Sequence, residues 1–404
     1  MKYIDGGVCS AKGFRAGGMN CGIKVGSTKK DLAMIASDVM CSAAAVYTTN
    51  KVKGAPLAVT KEHLADGKAQ AVICNSGNAN TCAPNGMEIA EKTCEITGGA
   101  LGLSAEDIIV CSTGVIGQEL SIKPFESGVP QLAQSISYDG GREAAEAIMT
   151  TDTIPKSIAV EFELEGKTCY IGGIAKGSGM IDPNMATMLS FITTDAAISP
   201  EMLNKALKKD VKTSYNQICV DGDMSTNDTV AVMANGLAGN AEITGEGMDY
   251  DAFCEALSMV TTYLAKKLAR DGEGATKLIE CQVTGAPDQE TAAKISKTVI
   301  SSNLLKAAIF GADANWGRVL CAIGYTDGEF STENIDVEMA SAKGKVLVCQ
   351  GSRHKEYSEE EASKILAEEE IQIYVDMHQG EAEATAWGCD LTYDYVKING
   401  DYRS

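Results

Sequence analysis

Histidine is scarce in this 404-residue chain, which has three: His63, His354 and His378. They stand in polar, charge-rich contexts, with His63 far from the other two. A hydroxyl or thiol activated by histidine and a histidine-based metal site are therefore poorly supplied, and surface positions are expected for all three. Positive charge is short as well. Thirty-five Lys and Arg face 55 Asp and Glu, giving a net charge of -20 and a pI near 4.6. Phosphate backbones need clustered cations, so nucleic acid is excluded as a partner. None of the 14 cysteines forms a Cys-x-x-Cys pair. Several sit in apolar, strand-like runs, where reduced cysteine is a small core residue, and a disulfide framework belongs to short secreted chains. No apolar run approaches the roughly 18–20 residues that span a bilayer. The start, Met1-Lys-Tyr-Ile-Asp-Gly-Gly, reads as neither secretory signal nor transit peptide, so the cytoplasm is the expected compartment. A Gly-x-x-x-x-Gly-Lys-[Ser/Thr] run is missing too, which weakens any phosphate-cradle reading of Lys176-Gly-Ser-Gly. What remains is an ordinary globular composition, 45% hydrophobic and 22% charged, long enough for two domains or one domain with a lobe.

Periodicity predicts strands and helices interspersed without a regular βαβ rhythm. A strand over 68–74 precedes the loop Asn75-Ser-Gly-Asn-Ala-Asn80, and a helix covers 86–98. A buried strand over 107–112 runs into Thr113 and Gly114, and an Ala-rich helix over 141–149 ends at Thr150. Strands over 158–164 and 168–174 flank Glu165-Gly-Lys167, a hairpin signal. Further on, strands are expected over 187–194 and 228–233, and helices over about 200–213, 250–270 and 290–305. The long helix stops at Asp271-Gly-Glu-Gly274. The C-terminal part reads as strands over 335–339, 345–348 and 371–375 with an acidic helix over 358–369. An α+β class fits this order.

The chemistry concentrates in Lys176-Gly-Ser-Gly-Met-Ile-Asp-Pro-Asn-Met-Ala-Thr187. Thr187 follows a small residue behind a run of Gly, Pro and Asn. A threonine whose own α-amine is free carries its base with it, since an α-amine titrates at about 7.7–8.0. Cutting between Ala186 and Thr187 would create that state, through attack of the Thr187 hydroxyl on the Ala186 carbonyl and hydrolysis of the resulting ester. Gly177, Gly179 and Pro183 suit a constrained approach, and a β-branched threonine has few χ1 options. The plainer reading is a buried strand with an ordinary threonine. On physics alone it is favoured, because short motifs often arise by chance.

The segment 176–195 resembles the processing segment of the ornithine acetyltransferase (ArgJ) family, which includes bifunctional glutamate N-acetyltransferases. Other blocks resemble that family in the same order: Ala43-Ala-Ala-Val-Tyr-Thr-Thr-Asn50, Asn75-Ser-Gly-Asn-Ala-Asn80, Ser112-Thr-Gly-Val-Ile-Gly117 and Met149-Thr-Thr-Asp-Thr153. So do Leu268-Ala-Arg-Asp-Gly-Glu-Gly-Ala-Thr276, Phe310-Gly-Ala-Asp-Ala-Asn-Trp-Gly-Arg318 and Tyr395-Val-Lys-Ile-Asn-Gly-Asp-Tyr-Arg-Ser404. The resemblance spans nearly the whole chain.

It implies a DmpA/ArgJ-like layered α/β fold, with β-sheets between helices and a smaller C-terminal lobe. It implies an α-chain, 1–186, and a β-chain, 187–404, assembled as α2β2 or larger. Thr187 would be the nucleophile that carries acetyl from N2-acetyl-L-ornithine to L-glutamate with ping-pong kinetics, in the acetyl-recycling form of arginine biosynthesis. Thr113 and Gly114 would form the oxyanion hole. Thr150 (or its neighbour Thr151), Lys176, Glu273, Asn399 and Ser404 would bind substrate. Ser404 stands where the family has threonine and keeps the hydroxyl; Ala314 stands where the family often has proline. No metal and no cofactor are implied. Bifunctional members also take acetyl-CoA as a co-substrate, and the sequence does not single out the side chains that decide this. Two rivals remain: an amidohydrolase or aminopeptidase of the same fold that releases its acyl group to water, and an unprocessed binding protein. The related peptidases use serine, which argues against the first, and all the assigned groups are present, which argues against the second.

Overall fold

The structure, a computed structural model, describes residues 1–182 and 188–401. Among these residues the larger sheet has nine strands. Eight follow the order Lys2–Ile4, Lys156–Leu164, Lys167–Lys176, Leu189–Thr194, Thr229–Ala234, Leu32–Tyr47, Lys68–Asn78 and Ile108–Val115, and Phe14–Met19 pairs beside Leu32–Tyr47. The 16-residue strand Leu32–Tyr47 serves two halves. Its start pairs with Phe14–Met19 and Lys68–Asn78, its end pairs with Thr229–Ala234, and the register breaks between Ala36 and Cys41. Bulges bend and twist a strand, and here the sheet folds over on itself. Phe14, Ile35, Val72 and Ile109 of one half meet Ile174, Phe191 and Met233 of the other in a single core cluster.

Helices close both outer faces. Ala55–His63, Gly86–Leu101 and Lys123–Ser135 pack Val59, Ile89 and Phe125 against Met34 and Ile73. Pro200–Asp210 and Met248–Arg270 pack Leu203, Phe253 and Leu264 against Phe162, Ile192 and Val232. Each such side chain contributes about 1.5–3 kcal/mol on full burial. The result is helix, sheet, sheet, helix, the layered α+β arrangement expected.

The smaller sheet forms the C-terminal lobe. Its seven strands among the described residues run Arg353–His354, Gly344–Gln350, Asp336–Ser341, Glu370–Asp376, Leu278–Ala286, Ala382–Cys389 and Ile218–Cys219. One face packs on Gln289–Ser301, Trp316–Gly324 and Glu359–Leu366. On the other, Leu278 and Trp387 join the cluster built on Met248–Arg270, so that helix lies between the two sheets.

Local chemistry explains where expectation and structure part. The hairpin at 165–166 has Glu165 at φ 49° and Gly166 at φ 74°, the doubly left-handed turn that matches strand twist. The strand expected over 68–74 continues to Asn78 in place of a loop. Its polar side chains are satisfied in the sheet, Asn75 Nδ2 donating to Asn78 O and Ser112 Oγ to Asn75 Oδ1. The single helix expected over 290–305 is two, Gln289–Ser301 and Asn303–Phe310. Ser302 leaves helical geometry at ψ 111°, and its hydroxyl caps the second helix by accepting from Leu305 N. Leu189–Thr194 realises the strand expected over 187–194, whose first residue lies outside the described residues.

Candidate active site

The chain on both sides of 183–187 is held bond by bond. Lys176 ends its strand almost fully buried, and its Nζ donates to Thr113 Oγ1 at 3.3 Å, bridging the two halves of the folded sheet. Gly177 N donates to Asp152 Oδ1 at 2.7 Å and Ser178 Oγ to Asp271 O at 2.6 Å, while Ser178 O accepts from Glu273 N at 2.9 Å. Met180 N and Ile181 N donate to the Asp221 carboxylate at 2.6 and 2.9 Å, and Val220 N to Ile181 O at 2.6 Å. Beyond residue 187, Met188 O accepts from Thr229 N at 2.9 Å and the chain enters the sheet.

A buried ion triad anchors this clamp. Lys156 Nζ, 1% exposed, lies 2.7 Å from Asp152 Oδ1 and 2.6 Å from Asp271 Oδ2. Burial alone would push the Asp152 carboxyl up. Lys156 and Lys176, with the Gly177 N–H, outweigh it and hold the group at about 2. Asp152 also accepts from Thr150 N at 3.0 Å, so the half-buried Thr150 is tied to the same cluster.

Thr113 and Gly114 stand near the end of Ile108–Val115. Gly114 has φ 130°, and a Cβ there would lie 2.3 Å from the backbone carbon of Gly77, so only glycine permits this close approach of two chains. Because Lys176 donates to Thr113, the Thr113 hydroxyl proton is left to donate elsewhere. A cavity of about 20 Å³, room for about one water, is lined by Thr113, Lys176, Gly179, Met188 and Asp228, among others. A far larger groove of about 1510 Å³ lies over Ala55–His63 and 82–88 and includes none of the expected site residues. The small cavity, not the groove, is the one that the expected site residues Thr113 and Lys176 line.

Glu273 sits in the turn after Met248–Arg270. A Cβ on Gly179 would lie 2.4 Å from its carboxyl carbon, and Asn399 Nδ2, on the helix Tyr393–Asp401, donates to its Oε2 at 2.7 Å. The structure thus gathers Thr113 and Lys176 at one cavity, with Gly114 next to Thr113 in its strand, pairs Glu273 with Asn399, and links Thr150 through Asp152. Ala186, Thr187 and Ser404 lie outside the described residues. The turn at Ala314 is held by Trp316 N and Tyr357 OH, both donating to Ala314 O, without the family's proline.

Asp152, Lys156, Asp221, Asp228 and Asp271 received no role from the sequence. A signal existed for Asp228, a carboxylate at the head of the apolar run Thr229-Val-Ala-Val-Met233. Lys24 was missed too. Its Nζ donates to Met149 O and Lys30 O at 2.7 and 3.1 Å, and burial lowers it to about 8. His63 differs from expectation: it is half-buried, with Nδ1 2.8 Å from Ile108 O, while His354 and His378 are exposed. Among the described residues no cluster of three or more His, Cys, Asp or Glu is arranged to hold a metal, and no helix is long and apolar enough to cross a membrane.

The ArgJ family model matches residues 15–404. An arginine biosynthesis bifunctional protein ArgJ from Caldanaerobacter subterraneus subsp. tengcongensis is 49% identical over 405 residues, covering 100% of both chains. One of the same name from Symbiobacterium thermophilum is 50% identical over 406 residues, again covering 100% of both. A crystal structure of arginine biosynthesis bifunctional protein argJ from Bacillus halodurans is 49% identical with a TM-score of 0.51, covering 54% of this chain and 100% of its own. Similarity of this degree along the whole chain shows an enzyme. The chain belongs to the ArgJ family.

Proposed function

We propose that this chain cuts itself between Ala186 and Thr187 and then moves acetyl from N2-acetyl-L-ornithine to L-glutamate through an acetyl-Thr187 ester. Thr187 Oγ1 bonds to the acetyl carbonyl carbon, the amide C–N bond breaks, and the hydroxyl proton passes by way of the Thr187 amine to the departing ornithine amine. The amine of glutamate then takes the acetyl group, and the proton returns to Oγ1. The Thr113 hydroxyl and the Gly114 N–H stabilise the oxyanion. Lys176 pairs with the substrate α-carboxylate. Glu273, steadied by Asn399, meets the side-chain ammonium of ornithine, and Thr150 or Thr151, with Ser404, completes the contacts.

The observation that carries this reading is the Lys176–Thr113 contact at a cavity bordered by Met188, one residue beyond the expected nucleophile. Two others support it. The Bacillus halodurans chain matches along its whole length 54% of this one, the share made up by residues 187–404, 218 of 404. The strands Lys167–Lys176 and Leu189–Thr194 flank the cut and pair with each other, so the two products stay joined. An α2β2 or larger assembly in the cytoplasm, needing no cofactor, completes the proposal. The word bifunctional in the relatives' names favours a second donor, acetyl-CoA, acylating the same threonine.

Intact mass under denaturing conditions tests the core of this. Wild type should give two fragments split at 186/187, and Thr187→Ala a single uncut, inactive chain. An uncut wild type that still transfers acetyl would sink the mechanism. Product analysis then separates acetylglutamate formation from release of free acetate, and glutamate with acetyl-CoA tests the second donor.

A further inference from the structure

Asp228 is a buried carboxylate that the mechanism above does not use. It is 2% exposed, and its Oδ2 has no hydrogen-bond partner among the described residues. Buried polar atoms are rarely left unpaired, and each one calls for an explanation. Asp228 lies immediately before Thr229–Ala234, whose parallel register sets Thr229 beside Leu189, and Thr229 N donates to Met188 O. Neighbouring strands are about 4.8 Å apart, so Asp228 stands next to Met188, the residue after Thr187. It shares the small cavity with Thr113, Lys176 and Met188. The Thr48 and Ser225 side chains lie beside the carboxyl, and Lys176 is the charged group that faces it among the described residues. Burial nevertheless pushes the group well above the ordinary carboxylate range. An acceptor poised in a nearly dry site lacks one cationic donor.

We propose that Asp228 is a positioning residue whose free carboxylate oxygen accepts a hydrogen bond from the Thr187 α-ammonium once the chain is cut. This rests on the N-terminal-threonine reading and adds to it. Cutting breaks the 186–187 C–N bond, and water supplies the hydroxyl to the new Ala186 carboxylate and a proton to the new amine. The amine thereby becomes the donor that Asp228 lacks. The adjacent negative charge would raise the pKa of that amine.

The test uses wild type and Asp228→Asn, with intact mass, thermal midpoint and the pH profile of acetyl transfer measured for each. Fragments split at 186/187 in wild type secure the underlying reading, and their absence overturns that reading whatever Asp228 does. With cutting secured, the variant should keep its thermal midpoint and its KM for N-acetylornithine while kcat falls about tenfold. Activity needs the neutral amine. Losing the nearby carboxylate lowers the amine pKa, so the acid limb of kcat/KM should move down by about one pH unit. A merely structural role would not move that limb, and an unmoved limb overturns the proposal. Should Asp228→Asn fail to fold or to cut, Asp228→Ser, which keeps a hydroxyl beside Thr48 and Ser225, is read by the same limb.

Discussion

The molecule buries lysines in two places and uses them differently. At the open end of the folded sheet, Lys156 and Lys176 are 1% and 8% exposed; in the C-terminal lobe, Lys306 and Lys277 are 1% and 8% exposed. Burial therefore does not separate them, but their partners do. Lys277 Nζ donates to Ile309 O and Leu366 O at 2.7 and 2.6 Å, and Lys306 Nζ donates to Cys389 O. Ile309 and Leu366 lie in the last turns of their helices, where carbonyls lack intrahelical donors and a cation is favourable. These are staples within a core. Lys156 instead joins two carboxylates, and Lys176 a hydroxyl, and every one of those partners touches the 176–181 segment or the small cavity beside it. A buried lysine marks a site when its partners converge on space and remains structural when they end in main chain.

The largest effect that could break this contrast is on stability. Lys156→Met removes the cation that bridges Asp152 and Asp271, and removing one partner of a buried pair costs about 3–5 kcal/mol. Lys306→Met orphans the Cys389 carbonyl, a loss of about 1–3 kcal/mol. Urea midpoints of both variants at pH 7 read the difference, and equal losses would erase it. The acid side sharpens the same test. Because the folded value of Asp152 is depressed to about 2 from 3.8, its contribution is full above the ordinary value and lost as pH falls through about 2. Wild type should show that decline, and Lys156→Met should have little of it left to lose.

Next in size is Lys176→Met. The substituted side chain still fills the strand end but offers no charge to a carboxylate, so kcat/KM for N-acetylornithine should fall on the order of a hundredfold. The thermal midpoint should stay within about 4 °C, under 1 kcal/mol of lost stability for a chain of this size. A collapse in stability with kcat/KM retained would place Lys176 among the staples.

How much of this was legible beforehand differs by level. The hairpin at Glu165-Gly166 and the long helix ending at Asp271 follow from local rules, and both are present. The fold-back of Leu32–Tyr47 was not legible, because a bulge between Ala36 and Cys41 takes its meaning from strands far away in sequence. Thr113, Lys176 and Glu273 could be named because motif blocks carry them. Lys156 and Asp221 could not, since a lone Asp or Lys looks like surface until the sheet buries it, while Asp152 inside the block Met149–Thr153 and Asp228 at the head of an apolar run were visible but carried no role. Lys156 and Asp271 lie 115 positions apart and meet only in the folded chain.

The smallest effect concerns Asn399, where the two parts of the molecule touch the same carboxylate. Glu273 follows the helix between the sheets, and Asn399 reaches it from the exposed helix Tyr393–Asp401. One neutral donor to a carboxylate, partly open to water, contributes about 0.5–1.5 kcal/mol. Asn399→Ala should therefore raise the KM for N-acetylornithine roughly two- to tenfold, with cutting at 186/187 and the thermal midpoint unchanged. The pattern across substrates is more telling than the size. If Glu273 meets the ornithine ammonium, its misplacement weakens N-acetylornithine and spares acetyl-CoA, which carries no such group. Equal losses with both donors would mean that Asn399 supports the reacting centre itself, and the C-terminal helix would then belong with the clamp around 176–181 instead of with substrate selection.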